Sequence, residues 1–98
     1  MSKLSSSPPF VEKLTNALSN GLKVAGIDPF DLDVEGVPQT KLYRFIVLSR
    51  SFEQLKHSER QDLVWRIASD ALDRQEQFCV SMILTLTPDE AGVKLDTD

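Results

Sequence analysis

Between Tyr43 and Val64 the chain changes its hydrophobic period once, and that change constrains the fold more than any other feature. Tyr43-Arg44-Phe45-Ile46-Val47-Leu48 is a run of aromatic and apolar residues with one charge. It predicts a strand with a neighbour on each edge and at least one buried face. Ser49 ends the run, and Ser51 to Leu55 has room for one helical turn held by Phe52 and Leu55. Beyond it, Leu63, Val64, Ile67, Ala68, Ala71 and Leu72 recur at i, i+1, i+4, i+5, i+8 and i+9, an apolar stripe along a helix of about four turns. Ser58 with Gln61 three residues on reads as the capping box that opens this helix. Strand and helix form one packing unit, in which each large side chain of the stripe stabilises by about 1.5–3 kcal/mol when fully buried.

The flanking chain supplies the rest of a small α/β layer. Residues 1–7 are polar and serine-rich, the composition of a loose tail. Ser7 reads as an N-cap with Pro8 at the first helical position. Phe10, Val11, Leu14, Ala17 and Leu18 mark one face of a first helix, and Asn20-Gly21 is its stop signal. Leu22 to Gly26 fits a short extended lead-in. From Asp28 to Glu35, Phe30, Leu32 and Val34 alternate with Asp31, Asp33 and Glu35, a strand with one wet face. Gly36 and Pro38 break it, so this strand and Tyr43–Leu48 form an antiparallel hairpin with a loop of about five or six residues. Asp73 to Gln77 is a polar connection. Phe78, Val80, Met82, Leu84 and Leu86 then alternate with Cys79, Ser81, Ile83, Thr85 and Thr87 as a third strand. Thr87-Pro88-Asp89-Glu90 is a second capping box, and 92–98 an acidic tail. The resulting domain spans 8–91 in the order α-β-β-α-α-β, and helices on one face of a three-stranded sheet would bury both periods.

Size and charge narrow the function classes. A chain of 98 residues makes one domain that buries about two-thirds of its unfolded surface. The formal charge of −4 argues against a general nucleic-acid binder, which needs a basic stripe to displace counterions. Cys79 is the single cysteine, which rules out an intramolecular disulfide and fits a reducing compartment. No apolar run reaches membrane-spanning length, and MSKLSSSPPF lacks the apolar core of a secretory signal. A cytoplasmic location is therefore expected. There is no nucleophile-base-orienter set, zinc-ligand pattern or glycine-rich phosphate loop, so catalysis is not expected.

Val47-Leu48-Ser49, then Phe52-Glu53, then Arg60 and Val64, resemble the core pattern of the BolA family: a strand ending in V-S, F-E-G shortly after, and R-H before an apolar helix. Met82 to Glu90 is similar to the family's last strand, which runs into T-P-x-E. The resemblance covers Phe10 to Glu90. It implies an α+β fold, a three-stranded mixed sheet with helices on one face, similar to the type II KH fold. It also implies a non-enzymatic adaptor that binds a monothiol glutaredoxin in iron-sulfur handling or redox-linked regulation. No cofactor is then intrinsic, but a [2Fe-2S] cluster is shared with the partner.

The family's last strand opens with a His-Ala pair whose histidine helps hold that cluster, and Cys79 stands at the histidine's position. A thiolate is a good iron ligand. By residue type alone, Cys79 is a small half-buried strand residue. His57 lies where a type II KH domain has its G-x-x-G loop. It is either a solvated turn residue or an imidazole that adds to a partner's metal. Gln54 replaces the F-E-G glycine, and Gln61 replaces the R-H histidine. Arg60 and Lys56, with Arg66 and Arg50, would form a modest basic patch, balanced by Glu59, Asp62 and Asp70. Arg60, Lys56 and Trp65 are the partner-binding candidates. Trp65 lies one position off the apolar stripe and is either core or half exposed. Asp31, Asp33 and Glu35 are a solvated face that deters strand association, or a row that attracts a basic partner or a divalent cation. The hairpin has no histidine or cysteine, although some family members carry a ligand there. Two other readings stand beside the adaptor: a KH-like nucleic-acid-binding regulatory module, and a plain protein-interaction domain using an open sheet edge or Trp65.

Overall fold

The computed structural model describes Pro8 to Gly92. The tail 1–7 with its Ser7 cap, and the acidic tail from Val93, lie outside the described residues. The elements are α1 (Pro9–Val24), β1 (Asp31–Gly36), β2 (Tyr43–Leu48), a 3-10 turn (Arg50–Gln54), α2 (His57–Ala71), α3 (Arg74–Gln77) and β3 (Val80–Leu86). The expected order holds, with α3 added inside the polar connection. Asp73 accepts from the Glu76 N–H at 2.7 Å and its own N–H donates to Glu76 at 2.9 Å, a capping box that closes this single turn.

The sheet order is β1-β2-β3, antiparallel between β1 and β2 and parallel between β2 and β3. A parallel pair needs a crossover, and α2 with α3 supplies it. On one face lie Val34, Phe45 and Ile83, then Leu32, Val47 and Thr85, which the pairing sets side by side. This face meets the helices: Phe45, Val47, Thr85, Leu14, Leu18, Val64 and Ala68 are fully buried.

Four local expectations are corrected. Helix α1 starts at Pro9, with Pro8 as its cap. It does not stop at Asn20-Gly21. Gly21 lies where α1 crosses α2, and a Cβ there would fall 2.6 Å from Ile67 Cδ1. The glycine thus serves close helix packing. The left-handed residue is Gly26, at φ 87°. Its N–H donates to Lys23 O and that of Ile27 to Leu22 O, at 3.0 and 2.8 Å. This is a Schellman end, sealed by the buried pair Leu22 and Ile27.

Helix α2 begins at His57 with Lys56 as its cap, two residues before the expected cap Ser58, and Glu59 rather than Gln61 reaches back, accepting from the Lys56 N–H at 2.8 Å. A carboxylate suits the positive end of the helix better than a neutral amide. The first strand pairs only from Asp31. Its lead-in is held instead by Ser49, whose hydroxyl donates to Pro29 O at 2.8 Å. The third strand starts at Val80 and does not present its even-numbered apolar residues to the core throughout. The pairing steps from Tyr43–Val80 to Arg44–Met82, so Ser81 is the extra residue of a bulge. Beyond it Ile83 and Thr85 point inward, and Met82, Leu84 and Leu86 point to the opposite face.

Candidate functional site

The chemistry-bearing residues lie at two opposite ends of the sheet. At one end are the β1–β2 loop, 37–42, and the start of β3. The loop is tied internally: the Val37 N–H donates to Leu42 O at 2.9 Å, the Thr40 hydroxyl donates to Val37 O at 2.8 Å, and the Leu42 N–H donates to that hydroxyl at 3.0 Å. Gln39 takes a left-handed conformation, φ 66°, an uncommon one for a non-glycine residue. Pro38, Gln39 and Lys41 are exposed.

Cys79 stands beside this loop. Its carbonyl accepts from the Tyr43 N–H at 2.8 Å, so the start of β3 is fastened to the base of the hairpin. The thiol is half-buried, and its Sγ lies 3.7 Å from Gln75 O. The neighbouring Phe78 is 73% exposed, a large apolar side chain left in water beside the single thiol of the chain. The described residues hold no group of three or more His, Cys, Asp or Glu side chains placed to bind a metal ion.

The other end is the N-terminal turn of α2. Arg60 is only 5% exposed, so it belongs to no surface basic patch. Its Nε donates to Leu55 O at 3.2 Å, and its Nη1 donates to Thr85 O at 3.4 Å and to Glu90 Oε1 at 2.6 Å. The guanidinium carbon sits 5.7 Å from the centre of the Phe52 ring. Glu90 also accepts from the Thr87 N–H, while the Thr87 hydroxyl accepts from the Glu90 N–H. The expected capping box at Thr87–Glu90 is thus present, and its carboxylate clamps Arg60. The bond from Arg60, and then that from the Thr87 N–H, holds the Glu90 carboxyl below the usual carboxylate range.

Gln61, at the position of the family's histidine, donates Nε2 to Ile83 O at 3.0 Å and to Thr85 Oγ1 at 3.2 Å. The Leu86 carbonyl accepts from the N–H of Ser49, which directly follows β2, so by alternation the Ile83 and Thr85 carbonyls face away from the ladder. Gln61 and Arg60 occupy these two edge acceptors. His57 and Lys56 are exposed and Trp65 is half-buried against the core. From Cys79 to Thr85 an extended chain covers roughly 20 Å. His57 therefore lies at the far end of the sheet from Cys79, and the two do not share a site. The turn Gln54–His57 has no glycine to admit a nucleic-acid backbone.

The acidic row is on the face away from the helices. Asp31, Asp33 and Glu35 pair across to Leu48, Ile46 and Arg44, and these to Leu86, Leu84 and Met82. No described element packs on this face. This is the open face that a single helical layer leaves, and beside the expected acidic row it carries the apolar residues Ile46, Leu48, Leu84 and Leu86.

No protein-family profile matches the chain, and no curated protein matches it. A solved structure does: a Bol-like protein from Babesia bovis, with a TM-score of 0.50, 20% sequence identity, 86% of this chain covered and 91% of that one. At this identity the likeness speaks for the fold. The chain has a BolA-like α+β fold, as its motifs implied. No helix among the described residues is long and apolar enough to cross a membrane.

Proposed function

We propose that this chain is a BolA-like adaptor without catalytic activity, and that it binds a monothiol glutaredoxin with the hairpin-loop end of its sheet. The observation that carries this reading is the position of Cys79. It stands beside the β1–β2 loop, hydrogen-bonded through its backbone to Tyr43 and flanked by exposed Phe78. Cys79 contributes one thiolate to a [2Fe-2S] cluster whose remaining ligands come from the partner, and Phe78 with Pro38 gives the contact its apolar part. Thiolate ligation at this position replaces imidazole, which lowers the cluster's potential and alters its visible spectrum. The setting is iron-sulfur handling or redox-linked regulation in the cytoplasm.

The test is a titration of the protein into [2Fe-2S]-loaded monothiol glutaredoxin, followed by visible circular dichroism. The expected result is a changed cluster spectrum that saturates at equimolar protein and is lost in Cys79→Ser. An unchanged spectrum together with no heat of binding in calorimetry would remove the partner. A complex that forms with identical spectra for wild type and Cys79→Ser would keep the partner and remove the ligand.

A further inference from the structure

The face of the sheet away from the helices has a composition that water alone does not explain. Its three rows across the strands are Glu35, Arg44 and Met82; Asp33, Ile46 and Leu84; and Asp31, Leu48 and Leu86. The β1 third is acidic and the β2–β3 two-thirds is apolar apart from Arg44. Met82 is 39% exposed, and Ile46, Leu48, Leu84 and Leu86 are half-buried by one another. Parallel strands covered on both faces read as near-continuous apolar runs, whereas a strand with one wet face alternates. Tyr43–Leu48 and Met82–Leu86 have the first pattern, and Asp31–Gly36 has the second.

The charges say what kind of cover fits. Arg44 Nε lies 3.5 Å from Glu35 Oε1 and so offsets that carboxylate. Asp31 and Asp33 have no ion-pair partner among the described residues, and they rim a shallow depression floored by Ile46, Leu48 and Leu86. A phosphate-bearing surface, whether lipid or nucleic acid, would meet these two carboxylates with like charge. A second copy would bring its own acidic row, a formal charge of −4 and an Arg44 already occupied. A cationic amphipathic helix fits both halves. It is about 10 Å wide and covers two strands lying roughly 4.8 Å apart, with its flank left against β1.

We propose that this face docks a basic amphipathic helix of a partner protein, its apolar stripe on Ile46, Leu48, Leu84 and Leu86 and its lysines or arginines against Asp31 and Asp33. The surface is separate from the Cys79 end and stands whether or not a glutaredoxin binds there.

The probe is a fluorescein-labelled synthetic helical peptide of leucine and lysine at helical period, with a leucine and glutamate peptide of the same pattern as its counterpart. Binding is read by anisotropy, and the site by amide and methyl shifts of the full isotope-labelled chain. The basic peptide should shift Asp33, Ile46, Leu48, Leu84 and Leu86, and the acidic peptide should leave them unmoved. The double variant Asp31→Asn, Asp33→Asn alters only exposed side chains and should bind about tenfold more weakly, the effect of two modest surface ion pairs. Equal binding of the two peptides, undiminished binding by the double variant, or shifts confined to other surfaces would overturn the proposal. So would a methyl contact network showing that a second copy or the chain's own terminal segment already covers these residues.

Discussion

The Arg60 guanidinium gathers Leu55 O, Thr85 O and Glu90 Oε1 around one buried charge. Removing the cation would leave the Leu55 and Thr85 carbonyls without this donor, while the exposed Glu90 carboxylate keeps the Thr87 N–H. Arg60→Ala should therefore cost about 1–3 kcal/mol in urea denaturation, the penalty of buried acceptors left unpaired. Arg60→Lys should recover only part of that, because an ammonium cannot span the three acceptors as a planar fork does. Two carboxyls add a pH dependence of definite sign. Glu90 is held low chiefly by Arg60, and Glu76 by the Asp73 N–H and then by Lys13. Both folded-state values lie below the unfolded ones, so their stabilisation is present above the ordinary carboxylate range and is lost as pH falls through the folded values. Denaturation midpoints should drop as the solution is acidified from neutral pH to below the ordinary carboxylate range, and Glu76→Gln with Glu90→Gln should flatten that drop.

Among the elements, the crossing of α1 and α2 at Gly21 and Ile67 offers a test whose sign reverses with context. Gly21→Ala gains helix propensity of about 0.8–1 kcal/mol, but its methyl would fall 2.6 Å from Ile67 Cδ1, and overpacking costs roughly 1–3 kcal/mol. In the wild-type background the substitution should be neutral to destabilising. In an Ile67→Ala background it should stabilise by about 1 kcal/mol relative to Ile67→Ala alone. The same glycine shows where sequence reasoning failed. Asn-Gly after an apolar stripe has the composition of a helix stop, and only tertiary packing shows that the glycine serves a neighbour. Strand β2 was legible in full, because a six-residue run of aromatic and aliphatic residues broken only by Arg44 leaves few alternatives. Ser81 carried no sign of its bulge, so the unbroken alternation expected of β3 fails there, and buried Val80 is followed on the core side by Ile83 rather than Met82. Arg60 read as part of a surface basic patch and Gln61 as a capping residue, because their acceptors on β3 lie more than 20 residues away. Gln61→Ala should lose about 1 kcal/mol and free the Ile83 carbonyl and the Thr85 hydroxyl, with more self-association in sedimentation at high concentration.

At the scale of the whole molecule, the helical layer and one face of the sheet form the only core among the described residues, with Phe45 and Val47 of the central strand fully buried at its middle. Phe45→Ala should cost about 3–5 kcal/mol, a large share of the 5–15 kcal/mol typical of such a domain. Outside that core lie the two surfaces proposed to bind partners: the hairpin-loop end with Cys79, and the bare sheet face with its acidic margin. The end near His57 is occupied by structural hydrogen bonds. The most direct test of this division is an amide NMR titration of the isotope-labelled chain with [2Fe-2S]-loaded monothiol glutaredoxin, whose paramagnetic cluster broadens nearby signals. The account predicts broadening at Gln39, Thr40, Lys41, Phe78 and Cys79, with Asp31, Leu48, Leu86 and His57 unaffected. Broadening centred on His57 or on the bare sheet face, or no perturbation at equimolar partner, would contradict it.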